Sequence, residues 1–86
     1  MKIINIKDIN KGSVIKKFDL EFENFGLTIR DCILMLGKNG YFVSMPSKMY
    51  KHEGQNKYFN LVVWTKDKQN ELNEKVVSHF EGLNQL

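Results

Sequence analysis

This chain has little that could serve covalent or metal chemistry. Cys32 is the only cysteine among 86 residues, so neither an intramolecular disulfide nor a cysteine metal cluster can form. It lies in the strand-like run Leu27 to Leu36, where a thiol reads as a small buried hydrophobe. The two histidines, His52 and His79, are far apart and share no ligand spacing, so no metal site is expected. No apolar run approaches the roughly 18 residues that cross a bilayer. The opening Met1 to Asp8 alternates and meets charge within a few residues, unlike a signal peptide, which gives a cytoplasmic protein as the expectation. Pro46 is the single proline and Arg30 the single arginine, and both scarcities matter below.

Catalytic groups are equally thin. Asp31 beside Arg30 reads as a strand-end ion pair or turn hydrogen bond rather than an acid or base. Gly37-Lys38-Asn39-Gly40 lacks the Gly-Lys-Ser/Thr ending of a phosphate cradle, and no helix follows it. Ser47 has no histidine base at a recognisable spacing. No enzyme activity, cofactor or small-molecule substrate is expected.

What the chain does have is lysine and alternation. Net charge is only +3, but Lys38, Lys48, Lys51, Lys57, Lys66 and Lys68 face only Glu53 and Asp67 between Leu36 and Gln69, a local +4. A basic half of this kind can address a polyanion. Lysine meets phosphate as a point charge and lacks the rigid fork that reads guanine, so any such binding should be weakly sequence-specific.

Alternation runs through the first two-thirds of the chain and predicts strands. Ile4 and Ile6 share a face of a first short strand, and Asn10 to Ser13 reads as a turn. Val14, Lys16, Phe18, Leu20 and Phe22 then share one face, with Lys17, Asp19, Glu21 and Glu23 on the other, as in a half-buried antiparallel sheet. After Glu23 to Gly26 turns the chain, alternation lapses beyond Asp31. Either both faces are buried there or a bulge shifts the phase. Asn39-Gly40 can supply positive φ for a tight hairpin, and Tyr41, Val43 and Met45 oppose Phe42 and Ser44. Pairing should stop at Pro46, which has no N–H to give.

Ser47 to Asn56 is polar and aperiodic and reads as a mobile loop, while Tyr58 to Thr65 reads as a strand apolar on both faces. Thr65 or Asp67 can cap a closing amphipathic helix with Leu72, Val76, Phe80 and Leu83 on its stripe and Gly82 fraying its end. The expected architecture is a single α+β domain: about five mostly antiparallel strands followed by one C-terminal amphipathic helix. A chain this short buries a small core. With Tyr58, Val62 and Trp64 giving the last strand a second apolar face, a homodimer is expected.

The run from Asp31 through Gly37, Gly40, Phe42, Val43, Met45, Pro46, Ser47 and Lys48 resembles the stage V sporulation protein G family of septation regulators, which carries Phe-Val-x-Met-Pro-Ser-Lys after an apolar strand and a glycine turn. Residues 29 to 48 carry the match at motif level. The resemblance implies a small homodimeric DNA-binding regulator whose basic surface lies near the Pro-Ser-Lys loop and the helix start. Of the candidate DNA-binding residues, Lys48 transfers from that motif. Lys51, Lys66 and Lys68 follow from local charge, and Tyr50, between Lys48 and Lys51, is the best stacking candidate. The alternative is a protein-protein interaction module that uses a sheet edge and Trp64 and has no affinity for nucleic acid.

Overall fold

A computed structural model describes every residue from Met1 to Leu86. The elements run β1 (Lys2–Lys11), β2 (Val14–Phe22), a 3-10 turn at Glu23–Phe25, β3 (Leu27–Gly37), β4 (Gly40–Ser44), β5 (Ser47–His52), β6 (Gln55–Asn60) and α1 (Lys66–Gly82). β1 to β4 form one antiparallel sheet in chain order, and β5 and β6 pair only with each other. The fold is α+β, with six strands where the alternation suggested about five.

The core forms where α1 lies against the sheet. Phe18 and Leu20 of β2, Ile29, Cys32 and Leu34 of β3, Val43 of β4 and Met45 meet Leu72, Val76 and Phe80 of the helix. Each such side chain contributes roughly 1.5 to 3 kcal/mol when fully buried. From Lys16 on, the alternating face of β2 turns inward as its pattern requires, with Lys16 itself only 4% exposed, but a register shift between Val14 and Lys16 sets Ile15 rather than Val14 against the core. The Lys16 stem is covered while its Nζ pairs with Asp8 and sits 5.4 Å from the centre of the Phe80 ring.

The lapse of alternation after Asp31 is a bulge. Phe18 pairs with Cys32 and Leu20 with Ile29, so Asp19 alone faces two residues of β3, Arg30 and Asp31, and Asp31 takes a φ of 61°. Inward positions therefore switch from Ile29 to Cys32 and Leu34. Lys17 pairs with the Asp31 carboxylate at 3.3 Å, and the Asp31 N–H donates to Asp19 Oδ1 at 3.1 Å. The Cys32 thiol donates to the Ile29 carbonyl, and burial, reinforced by Asp19 and Asp31, pushes it up to about 12. It is a packing group.

β1 departs from its expected phase. A register shift between Ile4 and Lys7, with Asn5 at a φ of 54°, sets Ile3 opposite Leu20 and against the core, while Ile4 stands opposite Asp19. A period of two cannot foresee an inserted residue. β1 is also longer than expected and closes on Val14 around Gly12-Ser13.

Two further expectations fail between Ser47 and Thr65. The supposed loop is a hairpin: β5 and β6 pair from Ser47↔Asn60 to His52↔Gln55. Glu53 and Gly54, both at positive φ (51° and 76°), make the two-residue connection expected of a type I′ turn. Glutamate rarely occupies that conformation, so the sequence carried only half the usual signal. The strand expected over Tyr58 to Thr65 ends at Asn60, after which the chain bends and Val62 and Trp64 turn onto the core.

The helix begins as its cap predicts, with Thr65 Oγ1 accepting from the Lys68 N–H. Leu83 is not part of its buried stripe. It follows the last helical residue and is half exposed.

Candidate nucleic-acid interface

Pro46 is the joint between body and hairpin. β4 stops at Ser44, Met45 is buried, and the Pro46 carbonyl accepts from the Leu61 N–H at 2.9 Å, tying together the two ends of the β5–β6 ribbon. The glycine turn before it is set by close approach. A Cβ at Gly37 would stand 3.0 Å from the Phe42 ring, and Gly40 alone takes the positive φ that Asn39 was expected to share.

Beyond that joint the ribbon stands clear: every residue of β5 and β6 is exposed. Directly opposed residues of an antiparallel pair share a face, as do residues two apart. Lys48↔Phe59, Tyr50↔Lys57 and His52↔Gln55 therefore lie on one face, and Ser47↔Asn60, Met49↔Tyr58 and Lys51↔Asn56 on the other. The Tyr50 and Phe59 rings touch diagonally, with centroids 5.9 Å apart and planes tilted by 59°. The first face thus carries a two-by-two block in which lysines and aromatics alternate.

The candidate lysines are not gathered on one rim. Lys48 and Lys51 project from opposite faces of the ribbon. Lys68 pairs with Glu71 at 3.3 Å on the exposed side of α1, where Lys75 first and Lys68 next hold the Glu71 carboxyl below its usual range. Lys66 instead lines an open cleft of about 480 Å³ between β4, the segment Asn60 to Trp64 and the first turns of α1. Tyr50 lies beside Lys48 in sequence order as expected, but on a strand rather than in a loop. Lys57 was not a site candidate, yet the register places it directly opposite Tyr50. The lysine-aromatic spacing Lys48-x-Tyr50 and Lys57-x-Phe59 was the available signal, and it became legible only with the hairpin.

Carboxylates are scarce here. The ion pairs of the fold engage Lys2, Lys16, Lys17, Lys68 and Lys75 and leave Lys48, Lys51, Lys57 and Lys66 free. Glu53 at the ribbon tip lies 3.7 Å from His52 and is the ribbon's only acid. Arg30 is elsewhere, in a polar depression with Lys17, Asp19 and Asp31 on the four-stranded sheet.

The edge of β4 is occupied from within the chain. The Val43 N–H donates to Asn73 Oδ1 at 3.0 Å, and the Val43 carbonyl accepts from Gln69 Nε2 at 3.1 Å. Gln69 also donates to Asn73 at 3.0 Å, so two helix amides cap the middle of the exposed ladder. Trp64 is likewise engaged: its indole N–H points to Met45 Sδ at 3.1 Å, and its ring lies 5.8 Å from that of Phe22. The middle of the β4 edge and the tryptophan are thus both engaged inside the fold, while the outer edge of β1 has no strand beside it.

No group of three or more His, Cys, Asp or Glu side chains converges as a metal site, and no helix is long and apolar enough to cross a membrane. No protein-family model, curated protein or solved structure matches this chain. The resemblance to the stage V sporulation protein G family therefore rests on Asp31 to Lys48 themselves.

Proposed function

We propose that this protein is a small, homodimeric, DNA-binding regulator of weak sequence specificity, and that the β5–β6 ribbon is its principal contact. The observation that carries this reading is an exposed ribbon bearing Lys48, Lys51 and Lys57 with no carboxylate paired to any of them. Lys66, which has no ion-pair partner and lines the cleft beside the ribbon, supports it from the helix start, whereas Lys68 is engaged with Glu71. The family resemblance points to the same end of the molecule.

Phosphate contacts of this kind release condensed counterions, so log affinity should fall with log salt by about 0.9 per contact on duplex DNA. Titration of DNA of unrelated sequences, both duplex and unpaired, at several salt concentrations tests the reading. Lys48→Ala with Lys57→Ala should weaken all of them about equally and make the slope shallower by roughly one to two units. Lys51→Ala, on the opposite face, should change the slope less. Affinity and slope equal to those of the unaltered protein in the double variant would place the contact surface elsewhere.

A second copy is proposed to cover the apolar segment that follows the ribbon, where Tyr58, Leu61 and Val63 are 67%, 58% and 78% exposed. Sedimentation equilibrium at tens of micromolar should then show twice the 10.1 kDa chain mass. A purely monomeric species would refute the dimer without touching the nucleic-acid reading.

A further inference from the structure

The geometry points to single-stranded nucleic acid, rather than duplex, as the ligand of the ribbon face formed by Lys48, Tyr50, Lys57 and Phe59. This inference rests on the nucleic-acid reading above and specifies the ligand. Tyr50 and Phe59 are 43% and 48% exposed, although they touch each other, so ring surface remains open on a face with no buried residue. On a duplex the bases are already stacked on one another, so a ring can stack on one only by prising a step apart, at a cost of a few kcal/mol. Against an unpaired strand the same ring provides a stacking platform for any base.

The lysines complete the fit. Lys48 stands directly across from Phe59 and Lys57 directly across from Tyr50, so each aromatic has a lysine opposite it on the partner strand. A strand laid over this block can stack bases on the rings while its phosphates reach the flanking Nζ groups, neither of which has another partner. Nothing in the block offers a bidentate hydrogen-bond pattern to a base edge, so the site should accept many sequences. Ribose and deoxyribose strands share this chemistry.

Anisotropy titrations of end-labelled oligo-dT, oligo-rU and a duplex, each about twelve nucleotides long, test the inference. The unaltered protein should bind at least one unpaired oligomer about tenfold or more tighter than the duplex, and the dT and rU arms distinguish the two sources. Tyr50→Leu keeps apolar bulk for the diagonal contact but removes the ring. It should cost about fivefold or more in single-strand affinity, the low end of what a stacked base contributes, and leave the salt slope unchanged. Tyr50→Phe should keep the affinity, and far-UV circular dichroism on both variants reports whether the ribbon persists. Equal affinity for duplex and unpaired strands, or full single-strand affinity in a folded Tyr50→Leu protein, would overturn the inference while leaving phosphate binding by Lys48 and Lys57 in place. Absence of binding to all three probes would remove the broader reading as well.

Discussion

Asn73 should be worth more to this fold than a polar helix residue normally is. Its Oδ1 accepts from the Val43 N–H at 3.0 Å and from Gln69 Nε2 at 3.0 Å, and Gln69 in turn donates to the Val43 carbonyl. Val43 is only 3% exposed, so an unpaired amide there costs about 1 kcal/mol if water enters from the adjoining cleft and about 3 kcal/mol if it does not. Replacement by alanine raises helix propensity, which returns up to ~0.7 kcal/mol. Asn73→Ala should therefore destabilise by about 0.5 to 2 kcal/mol, a fall in Tm of roughly 2 to 16 °C for a domain of this size. Thermal unfolding followed by circular dichroism measures it. Asn73→Asp keeps an acceptor for both donors and should retain most of the stability. An unchanged or higher Tm in Asn73→Ala would show that Leu72, Val76 and Phe80 dock the helix unaided, and an equal loss in Asn73→Asp would show that the stability does not come from the acceptor oxygen.

Phe80→Ala should be far more damaging, about 3 to 5 kcal/mol, because the ring is fully buried, lies edge-on to Phe18 at 5.9 Å and sits under Lys16; denaturant unfolding should find little folded protein left. Asp31→Asn should be nearly neutral, since asparagine tolerates the φ of 61° and the exposed pair with Lys17 is worth only ~0 to 1 kcal/mol, whereas Asp31→Val should cost about 1 to 3 kcal/mol; equal Tm values for the two variants would refute a backbone role. The Cys32 thiol ionises near 9 when unfolded and near 12 when folded, so its contribution is complete below pH 9 and declines as pH rises toward 12, by at most about 1.4 kcal/mol per pH unit. Cys32→Ala should remove that part of the alkaline slope, and identical pH profiles above 9 would contradict it. The Asp19 carboxyl is held below its usual range by the Asn5 amide first and the Asp31 N–H next, a contribution present at neutral pH and lost as pH falls through its folded value. Asn5→Ala should accordingly flatten the acid limb of a stability-pH curve, and an unchanged acid limb would refute that pairing.

The sequence by itself determined the elements whose signal is local. β2 is readable from the alternation of Lys16, Phe18, Leu20 and Phe22, and the break after Asp31 is visible in the pattern, although a bulge and burial on both faces give the same break. α1 is readable from a Thr65 cap followed by Leu72, Val76 and Phe80 at helical spacing. Each is a periodicity or a capping preference contained within a few turns or strand residues. Tertiary structure alone decided what depends on partners distant in the chain or on backbone conformations that the residue type disfavours. Glu53 accepts a positive φ because β5 and β6 pair along their whole length, and the pairing turns a polar stretch into a ribbon. Asn5 shifts β1 so that Ile3 rather than Ile4 reaches the core. The register of β5 against β6 separates Lys48 from Lys51 and brings Lys57 and Phe59 to the face of Lys48 and Tyr50, an arrangement no count of charges along the chain contains. Gln69 and Asn73 belong to the polar side of an amphipathic pattern, and only the docking of α1 beside the open edge of β4 makes them the partners of Val43.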